Sequence, residues 1–386
     1  MRATTLVFMF FFVVSAAVPA RAAAVPISRV SVITDVIFDP DNEIPEIISA
    51  LVQDDESSYL ATPGGLYRLP RELVAGAPAE LIAFEGRRVT GLYLHDGSLY
   101  VLKQGEEVQG TAATDHTFLR SDDGGETFVP MDAGLEACYG GYCGFMNSSQ
   151  AAFEGERIYL NAGGNFIVSP DAGESWTALV GEMTPAACYD PSFELIGNRV
   201  LLGGECPLDQ AWIRAGELED GALRWTSEPE SVITPDLENR NIQFLRHVKN
   251  TSIVYAGIEG ALLRSVDLGA SFDFVLHYVD PETEKYPYIG HMLISSANPD
   301  HIIIGGFDKR QVLAWVAYST DGGATWIDRS DLLQFPGFTF RELVFLHEDA
   351  AGRIFAGLQD FDSRVIRIVE LHDGGLRRRP ARPRLD

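Results

Sequence analysis

The apolar positions of this chain fall in short runs that never sustain a helical period. Ala151-Ala-Phe153 is followed by Ile158-Tyr-Leu160, and Phe193-Glu-Leu-Ile196 by Val200-Leu-Leu202, with Gly, Asn or Asp close behind. Runs this brief, bounded by turn residues, specify strands rather than helices.

A longer period organises the strands. The stretches 60–68, 117–120, 161–168, 212–214, 256–264, 312–318 and 356–367 are equivalent apolar segments, recurring about every 50 residues, and they define seven units. Each unit carries two earlier short runs, so four strands per unit are expected. The predicted fold is all-β: a seven-bladed β-propeller of four-stranded antiparallel blades. Val30-Ser-Val-Ile33 and Asp35-Val-Ile-Phe38 precede the first full unit. They are expected to complete the last blade, because an open propeller would expose raw sheet edges. A short helical stretch is expected around Pro45-Glu-Ile-Ile-Ser-Ala50.

Four units follow their third strand with one motif: Ser121-Asp-Asp123-Gly-Gly125-Glu-Thr-Phe128, Ser169-Pro-Asp171-Ala-Gly173-Glu-Ser-Trp176, Ser265-Val-Asp267-Leu-Gly269-Ala-Ser-Phe272 and Ser319-Thr-Asp321-Gly-Gly323-Ala-Thr-Trp326. A short carboxylate accepts backbone N–H bonds across a tight turn, Gly supplies positive φ, and the aromatic points back into packed sheet. The gap between the second and third copies is two periods, and the decayed copy is Gly216-Glu-Leu-Glu-Asp220-Gly221-Ala-Leu-Arg-Trp225. The last unit keeps a remnant in Asp373-Gly-Gly375. The motif resembles the Asp-box, or bacterial neuraminidase repeat, of sialidase-like β-propellers. The resemblance implies boxes on the turn between third and fourth strands of a blade, on the side away from the ligand site.

Composition narrows the class. Arg2, the apolar run from Leu6 to Val18 and the small residues around Ala20-Arg-Ala22 read as a secretory signal peptide. The expected organisation is a signal peptide at 1–24, the propeller at 25–375 and a basic, Pro-interrupted tail at 376–386. Export to the outside or the periplasm follows, with no membrane span after cleavage. A formal charge of −25 excludes a sequence-independent grip on nucleic acid. Cys138, Cys143, Cys188 and Cys206 suggest two disulfides with the connectivity open. Their spacing does not make a zinc site, Asp39-Pro-Asp-Asn-Glu43 lacks the Gly and distal Glu of a calcium loop, and no cofactor or metal is expected. Asn147 and Asn250 carry glycosylation sequons, relevant only in a eukaryotic secretory route.

Function is expected on the loop face opposite the boxes. Loops entering the innermost strands carry Tyr139, Tyr142, Tyr189, Tyr286, Tyr288, Phe335, Phe338 and Phe340, and Arg341 opens the seventh innermost strand. Loops between second and third strands add Asp308, Lys309, Arg310 and Asp360, giving a mixed but acidic face. Exposed aromatics stack on sugars or anchor a peptide. The sialidase arginine motif has a near match in Tyr67-Arg68-Leu69-Pro70. Its phase places it on a third strand, away from the channel, and two further channel-facing arginines are lacking. The leading expectation is a monomeric binding or assembly module for a protein or glycan. The alternative is a glycoside hydrolase using a carboxylate pair at the channel mouth.

Overall fold

The computed structural model describes residues 27–38, 50–103, 117–132, 150–162, 165–180, 189–206, 210–219, 221–226, 242–278, 286–360 and 364–373. Their strands form seven four-stranded antiparallel sheets. From blade 1 to blade 7 the innermost strands are Ala50–Gln53, Val89–His95, Ala151–Glu154, Tyr189–Ile196, Ile242–His247, Pro287–Ile294 and Glu342–Glu348. Six blades are built from four consecutive strands. The seventh takes its outer strand from the other end of the chain, where Ile27–Ile37 pairs antiparallel with Val365–Asp373. The two expected N-terminal strands are therefore one long strand with two register shifts. The stretch expected to be helical before Ala50 lies outside the described residues, as do the signal peptide and the basic tail.

Apolar alternation on each blade produces one core per blade boundary, seven in all. Ile33 and Val36 of the closing strand, with Phe38 just beyond it, pack with Leu51, Leu60, Phe345 and Phe355 between blades 7 and 1. Phe244, Tyr255, Ile289, Ile304 and Trp315 fill the boundary between blades 5 and 6. Blades thus adhere mainly by side-chain packing, with side-chain bonds such as Gln150 to Phe193 and Ser295 to Glu348 across the boundaries, while the strand ladders stay within each blade.

Five innermost strands shift register near their loop-side start: between Val89 and Gly91, Tyr189 and Ser192, Ile242 and Phe244, Ile289 and His291, and Leu343 and Phe345. A bulge inserts one unpaired residue and bends the strand. In blades 5 and 7 the next residue is a Phe laid on a glycine. A Cβ on Gly257 would sit 2.1 Å from the Phe244 ring, and one on Gly357 would sit 2.2 Å from Phe345. Gly257→Ala is therefore expected to lower stability by about 2–3 kcal/mol through overpacking. Chemical denaturation measures it, and an unchanged midpoint would show that Phe244 moves aside at no cost.

The four Ser-x-Asp-x-Gly turns join third and outer strands in blades 2, 3, 5 and 6. In blade 2 the Ser121 hydroxyl donates to Asp123 Oδ1 (2.8 Å) and accepts from the Gly125 N–H (2.8 Å). The other Asp123 bonds come from the Thr127 N–H (2.9 Å) and the Thr127 hydroxyl (2.6 Å). The arrangement repeats around Asp171, Asp267 and Asp321. Gly125, Gly173, Gly269 and Gly323 all have φ between 80° and 93°. The Thr127 hydroxyl, with the backbone bonds, pulls Asp123 down to about 2, and Ser271 does the same for Asp267, also to about 2. Blade 4, where the motif is degenerate, instead continues its strands to a tight hairpin between Glu219 and Ala222, with Gly221 at φ 80°.

Candidate functional site

Strand direction fixes the two faces. The Ser-x-Asp-x-Gly turns and the hairpins between first and second strands share one end, and the loops entering the innermost strands share the other. On that loop face, the expected aromatic side chains that the structure describes lie on blades 5 to 7. Tyr286 is buried and donates its hydroxyl to Glu259 Oε2 at 2.7 Å. Tyr288 lies beside it with ring centroids 5.6 Å apart, and Phe307 continues the row 5.8 Å beyond. The exposed Lys309 sits over both tyrosines, its Nζ 5.1 Å from the Tyr286 ring and 6.0 Å from that of Tyr288. The ring quadrupole holds the ammonium there.

Asp308 and Arg310 do not present separate charges to a ligand. Asp308 is 2% exposed and receives the Arg310 Nε–H at 2.9 Å, a second guanidinium N–H at 2.9 Å and the Arg310 backbone N–H at 2.8 Å. These bonds raise the Arg310 pKa further. The guanidinium also lies over the Tyr278 ring at 5.5 Å. Asp360 is 7% exposed, and the Arg341 backbone N–H donates to the Gln359 carbonyl at the same edge. The acidity expected of this face is therefore not carried by Asp308 or Asp360. Composition counts carboxylates without counting their partners.

The loop between blades 6 and 7 makes a second aromatic group. Phe335, Phe338 and Phe340 surround the Arg367 guanidinium at 5.1, 4.0 and 5.1 Å. Arg367 reaches from the third strand of blade 7 to Asp35 with two bonds of 2.7 Å. The rings of Phe338 and Phe340 stack 5.5 Å apart, Phe340 is buried, and Phe338 is 37% exposed. Beside them Leu313, Leu333, Phe335 and Pro336 line an open cavity of about 370 Å³.

Of the expected site residues, Tyr286, Tyr288, Asp308 and Arg310 come together on blade 6, and Arg341 and Asp360 lie at the top of blade 7. Tyr139, Tyr142, Cys138, Cys143 and Cys188 fall outside the described residues. Tyr189 and Cys206 lie on strands of blade 4, with their side chains outside the description. Arg68 is on the third strand of blade 1, as its phase required, and is held by Glu126 at 2.7 Å and Glu80 at 3.1 Å.

Sequence reasoning missed a group in the channel. Tyr93, Glu194, Arg246 and His291 come from the innermost strands of blades 2, 4, 5 and 6, in the half towards the Ser-x-Asp-x-Gly turns. The Arg246 charge acts on all three others. Burial pushes Tyr93 up, and it pushes Glu194 up against the pull of Arg246. Burial with the Arg246 charge lowers His291 to about 4. Charged residues inside otherwise apolar strands were the available signal.

No protein-family model matches the chain, and no curated protein does. Solved structures do. YCF48 from Cyanidioschyzon merolae is 12% identical, with a TM-score of 0.54 over 89% of this chain and 99% of that one. YCF48 bound to D1 peptide is 12% identical, with a TM-score of 0.56 over 92% and 99%. The extracellular domain of a one-component system from B. thetaiotaomicron is 11% identical, with a TM-score of 0.60 over 91% of this chain and 41% of that one. At these identities the likeness is one of fold, and the chain is a seven-bladed β-propeller.

Proposed function

We propose that the chain is an exported binding module that captures a protein segment on the loop face of blades 5 to 7. The observation that carries this reading is the pair of aromatic groups there, Tyr286-Tyr288-Phe307 under Lys309 and Phe335-Phe338-Phe340 around Arg367. Buried rings give each group a rigid base, while Lys309 and Phe338 remain exposed. Rigid aromatics cost little entropy on binding and dominate interface energetics when a partner excludes water. The peptide-bound YCF48 propeller supports the choice of a protein ligand over a glycan. The four turns support membership of the Asp-box propellers, and the apolar run before residue 24 supports export.

The hydrolase reading needs two carboxylates flanking a cleft. On blades 5 and 6 Glu259 is bonded by Tyr286 and Asp308 by Arg310, so both are committed within the protein.

The test is a peptide-display selection on the exported form, repeated with Phe338→Ala and Tyr288→Ala. Each substitution is expected to weaken a selected peptide about tenfold or more while the melting temperature holds. Peptides whose affinity ignores both substitutions, or turnover of a glycan by the protein, would overturn the reading.

A further inference from the structure

The hairpin between the second and third strands of blade 6 holds one residue against its conformational preference. Val312 has a φ of 58° and is 48% exposed. Among the described residues it is the one β-branched side chain with a positive φ, a position that Gly fills without penalty. The turn enforces the conformation: the Val312 N–H donates to the Asp308 carbonyl at 2.7 Å, and the Asp308 carboxylate is held by Arg310 at 2.9 Å. An apolar side chain left in solvent at this cost adds nothing to the core. Strain of this kind persists at ligand clamps, where the surrounding structure over-determines it.

Val312 stands at the cavity between blades 6 and 7. Its neighbour Leu313 lines that space of about 370 Å³ with Leu333, Phe335 and Phe338. The Ala314 N–H donates to the Phe340 carbonyl at 2.8 Å, which ties the hairpin to the Phe-bearing loop and fixes the two walls relative to each other. No charged side chain lines the cavity, and Gln334 is its one polar side chain, so a sugar would lose its water contacts there without replacement. The volume lies at the small end of ligand pockets and suits a single apolar side chain. Lys309 sits across the same hairpin. Asp308 and Leu313 are ladder partners, so the Cα atoms of Lys309 and Leu313 lie within about 10 Å of each other. The Lys309 ammonium is 5.1 Å from the Tyr286 ring, and the carboxylates of Asp308 and Glu259 are bonded to Arg310 and to the Tyr286 hydroxyl.

We propose that this cavity seats one Leu, Ile or Phe side chain of an extended protein segment, that Val312 closes over it, and that an acidic side chain of the same segment pairs with Lys309. An extended chain rises about 3.3 Å per residue, so the acidic residue lies about three positions from the apolar anchor. The anchor supplies most of the affinity by excluding water from a well-packed pocket, and the ion pair at the rim selects the sequence. The net charge of −25 does not forbid an acidic segment, because charges more than about 8 Å away are screened at physiological salt. This inference rests on the loop-face reading above and names the kind of segment that the face selects.

The test selects short peptides from a random display library on the whole protein and titrates them by fluorescence anisotropy. The selected sequences are expected to share the apolar and acidic pair. Gln334→Trp, which fills the cavity from an exposed position, is expected to weaken them about tenfold or more. Lys309→Glu is expected to weaken them several-fold and to turn a fresh selection towards basic peptides. Val312→Gly, which removes the side chain together with its strain, is expected to weaken them several-fold while the melting temperature holds, a split that a purely structural residue would not give. Peptides that respond to Tyr288→Ala and Phe338→Ala but not to Gln334→Trp or Lys309→Glu would overturn this proposal and leave the loop-face reading standing, whereas peptides indifferent to all four would overturn both. A dimer in sedimentation that Gln334→Trp converts to a monomer would make the occupant a second copy of the chain and also overturn the proposal.

Discussion

A chain beginning at residue 39 is expected not to fold. The strand Ile27–Ile37 pairs along Val365–Asp373, and with Phe38 just beyond it supplies Ile33 and Val36 to the core between blades 7 and 1. It also supplies Ile27 to the core between blades 6 and 7. Burying four such side chains stabilises by roughly 6–12 kcal/mol at 1.5–3 kcal/mol each, which is comparable to the whole stability of a domain. Deletion further leaves Arg367, whose side chain is 9% exposed, without the carboxylate of Asp35. An uncompensated buried charge costs about 3–5 kcal/mol. The freed edge of Val365–Asp373 would then pair with any available strand. The expected product is aggregated or oligomeric, with lost cooperative melting by circular dichroism. A synthetic peptide of residues 27–38 added during refolding should restore a soluble form. A truncated chain that melts as the full one does would show that closure is dispensable. A milder form of the same experiment is Asp35→Asn, which keeps the strand and weakens only the clamp.

The fold was legible because a propeller writes its architecture as a period. Ser-x-Asp-x-Gly fixes the end of each third strand, and the other strands follow by counting. The phase also resolved Tyr67-Arg68-Leu69-Pro70 correctly as a third strand, now seen with Arg68 gripped by Glu80 and Glu126. The loop-face chemistry was only partly legible. Asp308 and Arg310 read as two exposed charges, but a turn brings one onto the other and buries the carboxylate. Sequence gives the residue types at a loop and not which of them satisfy one another.

The channel group was hidden for a different reason. In a regular strand, alternation tells which residues share a face. In blades 5 and 6 the innermost strands carry a bulge between Ile242 and Phe244 and between Ile289 and His291, and the alternation restarts after it. Arg246 and His291 both lie beyond that interruption. The group is a property of the bulged backbone and of four different blades, so no local pattern displays it.

Acid should destabilise the protein in two separable steps, and the first belongs to His291. Its folded-state pKa is lowered from 6.5 to about 4, mainly by burial and secondarily by the Arg246 charge. A base whose pKa falls on folding contributes no penalty while both states are neutral. As pH drops below 6.5 the unfolded chain takes up the proton first, so stability falls until pH reaches about 4. At about 1.4 kcal/mol per unit, and discounting for the part of the ring open to the channel, the loss is roughly 2–3 kcal/mol. The second step comes from the turns. Asp123 and Asp267 are lowered from 3.8 to about 2, and Asp171 and Asp321 shift the same way, all first by the Thr or Ser hydroxyl bonded to them. An acid whose pKa falls on folding stabilises above its unfolded value, so this contribution disappears between about pH 4 and pH 2. The repulsion relieved as a chain of net charge −25 is protonated works in the opposite sense, so each step is read as a difference between wild type and variant. Denaturation midpoints of His291→Gln should run flatter than wild type between pH 6.5 and 4 and parallel to it below, whereas Asp267→Asn should differ in slope only below pH 4. Parallel curves for His291→Gln throughout would mean that the imidazole is already hydrated and charged in the folded channel. Arg246→Gln supplies the complementary result: with the guanidinium gone, the His291 titration followed by NMR should move upward, towards 6.5, by the share of the shift that the charge contributes.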